Sequence, residues 1–504
     1  MTIETLREET FSRYKLALQR EDGRLRILVL STSAGKHRAV HTDYRLLNDE
    51  GLCVATPAID ENVADYIFKH FEQRGDTESF NVFRSALAEG ELPLSHNRQI
   101  APDDVRHNLG IQEKSFTATG TKLAYHWPIF AKYRDTGFGS IIRATLTNHQ
   151  VCSSHCQYCS TISRNKKDSV SLEEAQAFVM KLYDDQAQFN RERFPEYNAE
   201  YRKLTGSDIR LRGLILSGGG QPNLWPHFTE FVDWLATLDI DLGLITNGFP
   251  QKVPEAIYKH FTWIRVSITP PDASPFYPDR RFDRQYLPET ILHNPDITLG
   301  YSYVYGPWTT DAVLRQIAES MDDKGFDYCR LLTDCNLPRD SQLRAHYELA
   351  ERLFKLGYID AEGKPLHGFF HQLKYHGTPG EAATLWDEGQ CFLQTYNVFW
   401  DTTGHEDNGH SFCYPCDSVT VLADEAEPGI VQSSERRFNA QKWGTVPNTD
   451  VERLYREPVK PYFDPRSICQ SCLFMRNNAS VKQLVQHPAP PADPTQPIQH
   501  VNFP

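Results

Sequence analysis

The sequence has no apolar run long enough to cross a membrane, where about 20 consecutive apolar residues are needed. Residues 1–20 alternate charged and apolar side chains and lack the apolar stretch of a secretory signal. Both absences place the chain, as an expectation, in the cytoplasm. Basic residues are scarce relative to acidic ones: 53 Lys and Arg against 66 Asp and Glu give a formal net charge of −13. Proteins that bind nucleic acid as their main partner neutralise phosphates with cations, so this balance argues against that role. No internal repeat is present, which excludes solenoids and propellers. What remains is the composition of a globular chain, 40% hydrophobic and 24% charged, long enough at 504 residues for two or three domains.

Cysteine, by contrast, is abundant and unevenly placed. Three of the eleven sit in Cys152-x3-Cys156-x2-Cys159, and Cys391, Cys413, Cys416, Cys469 and Cys472 lie in the last quarter. In a reducing compartment, pairs at x2 spacing are metal-ligand spacing and not a disulfide framework. Cys53 and Cys329 fit buried structural thiols.

Residues 1–137 form a mixed extension without a chemical motif. Within it, residues 25–31 read as a strand, and 62–73 and 79–88 as helices by apolar spacing. From residue 138 to 356 strands and helices alternate. The strands are predicted at 141–146, 211–216, 242–246, 263–268, 297–304 and 328–332. Helices are predicted at 170–182, 228–238, 313–323 and 342–356, the first opened by Ser171 with Glu173 and Glu174 in its first turn. Repeated β-then-α units imply a parallel α/β sheet with right-handed crossovers. Six strands predict a partial barrel with ligands at the carboxyl ends of the strands. Residues 184–210 read as a charged surface insertion, 357–390 as a connector, 391–486 as a cysteine-containing module and 487–504 as a loosely ordered Pro-rich tail.

The cysteine loop follows directly on the first predicted strand. Three thiolates hold three corners of a cubane cluster and leave the fourth iron without a protein ligand, open to a small molecule. The competing reading is a zinc site with His155 as a fourth ligand. Cys-x3-Cys-x2-Cys with an aromatic, Tyr158, before the last cysteine resembles the signature of the radical S-adenosylmethionine superfamily. The resemblance implies a partial (β/α)6 barrel and a [4Fe–4S] cluster on Cys152, Cys156 and Cys159. It implies that the open iron chelates S-adenosylmethionine, which one electron cleaves to methionine and a 5′-deoxyadenosyl radical. A reduced flavodoxin or ferredoxin-type protein is the electron donor it implies.

Other segments extend the resemblance across residues 138–340. Gly218, Gly219, Gly220 and Gln221 end the second strand, like the family's Gly-Gly-Glu segment that binds the methionine amino group through backbone. Gln221 stands where many members have Glu. Residues 246–248, with Asn247, resemble the third-strand Thr-Asn-Gly, and Ser267 on the fourth strand is placed at the ribose. Residues 299–303 match the fifth-strand adenine segment.

The later cysteines resemble the short "twitch" form of the SPASM module, which implies a second, auxiliary [4Fe–4S] cluster. Residues 397–401 and 410–416 read as a hairpin that brings Cys391 near Cys413 and Cys416. Five thiols are one more than a cluster needs, so the choice between Cys413 and Cys416 stays open. Tetrathiolate zinc is the alternative, with His405 and His410 as exposed hairpin histidines. At the end of the sixth strand, Asp334 and Cys335 fall at the barrel mouth. Cys335 suits a hydrogen-atom donor or, equally, a partly buried structural thiol, and Asp334 a base or hydrogen-bond partner.

Three uses of the radical follow: epimerisation with Cys335 returning hydrogen, two-electron oxidation through the auxiliary cluster, or modification of a peptide. The acidic chain favours a small polar metabolite such as a sugar or aminocyclitol as substrate. A non-catalytic zinc-binding scaffold is the alternative of another class.

Overall fold

The computed structural model describes residues 3–10, 14–21, 24–33, 36–42, 59–60, 94–95, 119–154, 156, 158–159, 165–248, 253–269, 287–334, 339–359, 366–372, 390–402, 405–409, 411–416, 446–459, 474–488 and 499–504. The helices expected at 62–73 and 79–88 lie outside the described residues, as do Cys53, His155, Cys335, His410, Cys469 and Cys472.

Four antiparallel strands open the chain in the order β1-β2-β3-β4 (Ile3–Thr10, Tyr14–Glu21, Arg24–Ser33, Lys36–Thr42). β3 contains the expected strand. Two short strands, β5 (Ile59–Asp60) and β6 (Leu94–Ser95), pair with each other. Helices α1 (Thr119–Tyr125) and α2 (Trp127–Thr136) follow. Their Leu123, Ile129 and Phe130 pack in one cluster with Cys391 and Phe392, so the 1–137 extension ends in the fold of the later module.

The main sheet is a predominantly parallel α/β sheet with the strand order β13-β12-β11-β10-β9-β8-β7-β14-β15-β16. The six expected strands are β7 (Arg143–Thr147), β8 (Gly213–Ser217), β9 (Asp241–Thr246), β10 (Phe261–Ile268), β11 (Thr298–Tyr305) and β12 (Tyr328–Thr333). Parallel pairing continues past both ends of this set. β13 (Phe369–Gln372) joins β12 from within the expected connector, and β14 (Asn397–Asp401) joins β7. β15 (Phe412–Tyr414) and β16 (Val446–Pro447) then add antiparallel. The hairpin read at 397–416 therefore exists, but it extends the barrel sheet and does not stand beside it.

Strand residues alternate between two faces. Leu216, Leu244, Val266, Tyr301 and Leu331 belong to the outer core, where helices cover the sheet. Among these helices, α3 (Leu172–Met180) opens with the Ser171 capping box that Glu174 completes. The 184–210 segment forms α4 (Gln186–Arg193) and α5 (Pro195–Thr205). It is more than a surface insertion, because Tyr201 and Ile209 are buried in the cluster with α1 and α2. α6 (Phe228–Leu235), α7 (Asp311–Lys324) and α8 (Arg339–Lys355) occupy the other expected crossovers.

Two contacts show that the sheet curls. At the carboxyl rim, Tyr158 after β7 and Trp308 after β11 have ring centroids 5.7 Å apart. Those strands would stand about 19 Å apart in a flat sheet. At the opposite rim, the His500 carbonyl accepts from the Phe503 amide in a tight turn. This turn reaches five strands: Arg143 donates to the Pro504 main-chain oxygen, the Asn502 amide to Asp241, and His500 meets Thr298 at 2.8 Å. Phe503 packs with Ile215 and Trp263. Residues 499–504, expected in a loose tail, are thus the floor of the partial barrel.

Candidate functional site

The cysteine loop is held at the carboxyl rim by backbone fit. Gln150 N–H donates to the Asp168 carbonyl at 3.0 Å, and Val170 N–H to that of Asn148 at 3.0 Å. Across the rim, Gln221 N–H donates to the Val151 carbonyl at 2.6 Å. Gly219 and Gly220 make this approach possible. A Cβ on Gly220 would overlap the Val151 carbonyl, and one on Gly219 the end of the Gln150 side chain. His149 Nε2 lies 2.6 Å from the Gln221 carbonyl; burial lowers its pKa, so the neutral ring donates here. Gly218 remains exposed.

Gln221 is 2% exposed, and its side chain points into the sheet ends. Its amide donates to Asn223 at 3.0 Å and to Thr246, and its carbonyl accepts from Asn247 N–H at 2.9 Å. This side chain thereby locks β8 to β9. Asn247 is positioned by that bond, and its Nδ2 donates to Ser154 Oγ at 2.9 Å and to Ser153 Oγ at 3.3 Å, with Cys152 Sγ 3.9 Å away.

Cys152, Cys156 and Cys159 are all half-buried at this rim. Ser154 N–H donates to Cys152 Sγ at 3.4 Å, and Cys159 N–H to the Cys156 carbonyl at 3.0 Å in a turn. N–H donors toward a sulfur stabilise its thiolate and tune a cluster bound through it. Among the described residues no three His, Cys, Asp or Glu side chains are gathered closely enough to hold a metal ion. The donor set and its surroundings fit iron–sulfur ligation: three soft thiolates, a turn between two of them and amide donors beside the first.

The remaining expected residues divide. Ser267 is exposed on the inner face of β10. Asp334 follows β12 at the rim, half-buried. Tyr158 faces Trp308 across the mouth, where Trp308 Nε1 donates to the Val304 carbonyl at 3.1 Å. Cys335 lies outside the described residues.

The later thiols sort by the pleat of β15. Cys391 and Cys416 share a cluster with Phe412, Tyr414 and Tyr396. Cys413 points to the other face, into the main core opposite Trp400. Burial raises the Cys413 thiol well above its ordinary range, so it is held protonated. Burial, with the Cys391 and Cys416 thiols adding, pushes Tyr396 up to about 12. Helix α9 (Met475–Gln486) supplies Asn478, whose Oδ1 accepts from Phe392 N–H at 2.8 Å and lies 3.7 Å from Cys391 Sγ. His405 is half-buried and meets Glu174 Oε1 at 3.0 Å, so it is a structural partner of α3 and not an exposed hairpin residue.

Sequence reasoning missed a buried bridge between the two cysteine regions. Gln150 Nε2 donates to Asp401 Oδ1 at 3.2 Å and to Thr402 Oγ1 at 3.1 Å. Thr147 Oγ1 is 3.3 Å from Asp401 Oδ1, and Thr402 N–H donates to Thr147 Oγ1 at 3.1 Å. Polar residues clustered at two strand ends, 147–150 and 401–402, were the available signal. It has no meaning until β7 and β14 are known to be neighbours.

No family model and no curated protein matches the chain. Solved structures similar to it include Streptococcus suis SuiB bound to S-adenosylmethionine, at 11% identity and a TM-score of 0.41 over 69% of this chain and 74% of that one. The same protein bound to precursor peptide SuiA is matched at 11% identity and 0.41 over 79% and 84%. BtrN in complex with AdoMet and 2-DOIA is matched at 10% identity and 0.25 over 63% and 88%.

Proposed function

We propose that the chain is a radical S-adenosylmethionine enzyme that abstracts hydrogen from a small polar metabolite and epimerises or oxidises it. The observation that carries this reading is the rim itself. The half-buried Cys152, Cys156 and Cys159 loop faces Asn247 and is fitted by backbone against Gly219 and Gly220. The three thiolates would hold a [4Fe–4S] cluster, which with S-adenosylmethionine supplies a 5′-deoxyadenosyl radical when reduced. Exposed Gly218 offers backbone to the methionine end, and Ser267 a hydroxyl to the ribose. Tyr158 and Trp308 narrow one side of the mouth.

A second cluster is proposed on Cys391, Cys416, Cys469 and Cys472. Cys391 and Cys416 share a buried aromatic pocket, and Cys472 is two residues along the chain from Phe474, which packs on the same cluster. Cys413 is left out because it points to the other face of β15, into the main core opposite Trp400. Cys335 is proposed as the hydrogen-atom donor of an epimerase and Asp334 as its neighbouring base. Cys335→Ala should then stop net turnover while 5′-deoxyadenosine still forms. An oxidase would keep making product in that variant.

Anaerobic reconstitution tests the whole reading. A brown protein with about eight irons per chain that cleaves S-adenosylmethionine under dithionite is expected. A colourless protein that keeps zinc after iron and sulfide treatment would sink it.

One observation favours a peptide substrate as a second reading. β1 and β4 are the two edges of the four-stranded antiparallel sheet, and an edge strand accepts an extended peptide through backbone bonds. Protection of β1 or β4 amides from hydrogen exchange by a bound peptide would favour it over the metabolite.

A further inference from the structure

The inner face of the barrel strands carries positive charge in a strongly acidic chain. On β10 the inner positions are Trp263, Arg265 and Ser267, since Ile264 and Val266 belong to the outer core. On β12 Cys329 and Leu331 face outward, which leaves Tyr328 and Arg330 inside. Strand register sets Arg330 level with Ser302 and Ser267, while Arg265 lies one layer deeper with Gly300 and Tyr328. Two glycines permit the arrangement: the Trp263 ring lies across Gly243 and the Tyr328 ring across Gly300, where any Cβ would overlap them.

Among the described residues no carboxylate pairs with Arg265 in this layer. Its guanidinium lies 5.6 Å from the Trp263 ring centre and donates to the Tyr328 hydroxyl. Its Nε is buried and meets no hydrogen-bond partner among the described residues. Arg330 also lies close enough to Tyr328 to oppose, with Arg265, the rise that burial imposes on its hydroxyl. Of the described carboxylates on the inner faces, Asp241 at the start of β9 accepts from Asn502 at 2.8 Å, Asp401 on β14 is bonded to Thr147 and Gln150, and Asp334 stands at the rim. Trp263 and Phe503 close the bottom. The curled strands thus make a cup whose inner face carries Arg265 and Arg330 above these rings.

We propose that this cup receives an anionic end of the substrate, a carboxylate or phosphate, held by Arg265 and Arg330. Arginine matches such oxyanions with paired donors. The inference rests on the proposed function and narrows its substrate class to an acidic metabolite. The anion is distinct from the carboxylate of S-adenosylmethionine. The cysteine loop, glycine run and Asn247 lie at the ends of β7, β8 and β9, whereas Arg330 is on β12, three strands beyond β9.

Titration calorimetry of the reconstituted full chain provides the test, with inorganic phosphate and acetate as probes and glycerol as the neutral control. One anion is expected to bind and glycerol is not. Arg330→Gln and Arg265→Gln should each weaken that anion about tenfold or more and leave S-adenosylmethionine within about twofold. Which anion binds tells phosphate from carboxylate. Unchanged anion binding in both variants, or a loss of S-adenosylmethionine binding instead, overturns the proposal. In the unaltered chain the bound anion should shield Arg330 from phenylglyoxal, and no shielding overturns it without reliance on a variant's folding. The two readings fail separately: a chain that binds the anion but no iron loses only the proposed function, and one that cleaves S-adenosylmethionine without binding either anion loses only this inference.

Discussion

The two cysteine regions lie on one sheet and are built in opposite ways. Cys152, Cys156 and Cys159 are half-buried on a polar loop, with amide and hydroxyl groups around them and an open rim above. Cys391 and Cys416 are buried among Phe412, Tyr414 and Tyr396, on the side where the sheet gains its antiparallel strands. An exposed iron can exchange a ligand, while a centre enclosed by aromatic rings is restricted to electron transfer or to structure. The difference teaches that two similar runs of thiols can be set in opposite surroundings by one sheet.

The largest expected effect is at the rim. Cys152→Ala, Cys156→Ala or Cys159→Ala should abolish 5′-deoxyadenosine formation and reduce iron from about eight to about four per chain. Retained cleavage in any of the three would break the comparison at its first term. Next is the choice between Cys413 and Cys416. Cys416→Ser should likewise leave about four irons, now with cleavage retained, while Cys413→Ser keeps all about eight. The reverse pattern by iron analysis would mean that the pleat of β15 does not set the ligand.

A third variant moves the rim loop without touching a thiol. Gly220→Ala forces a methyl group onto the Val151 carbonyl and should slow S-adenosylmethionine cleavage about 10²-fold. Gly219→Ala meets only the end of Gln150 and should do less. Equal rates in the two would show that backbone fit does not position the loop. Gln221→Ala should cost about 1–3 kcal/mol in denaturant unfolding, because the buried partners Asn223, Thr246 and Asn247 N–H lose their bonds.

The last effect is read as a slope in pH and concerns how dry the auxiliary side is. Lys132 on α2 donates to the Gly139 carbonyl and Asn190, and burial lowers its pKa from 10.5 to about 7. Between those values the unfolded chain keeps a proton that the folded chain has shed. Stability therefore rises as pH increases from about 7 toward 10, by at most about 1.4 kcal/mol per pH unit. Lys132→Met should reduce the slope by that amount while buried Lys122, also lowered to about 7, keeps its own share, and equal slopes in the two proteins would show that water reaches the amine.

The strands and the rim loop were legible because their signals are local. Apolar runs such as 242–246 mark strands, and three thiols within eight residues mark a ligand loop. The rest depends on pairing. Spacing alone does not separate Cys413 from Cys416, since the face of β15 is fixed only by its register with β14. The floor at 499–504 escaped because a Pro-rich approach hides a Phe that finds its pocket only in the closed barrel. Arg265 and Arg330 were readable in principle, as charged residues at alternate positions of apolar strands. Their meaning required knowing which face is inside.

The parallel pairing of β14 with β7 has a consequence for how such a chain can be divided. Were residues beyond 390 removed, the strand that delivers the first three cysteines would become a bare edge, with its backbone groups open to pairing with other molecules. Thr147 and Gln150 would lose Asp401 and Thr402 in the same cut. The later module is therefore not a detachable cassette. Recombination that exchanged it between chains would have to conserve the register of β14 against β7, or else yield a protein that aggregates before it binds iron.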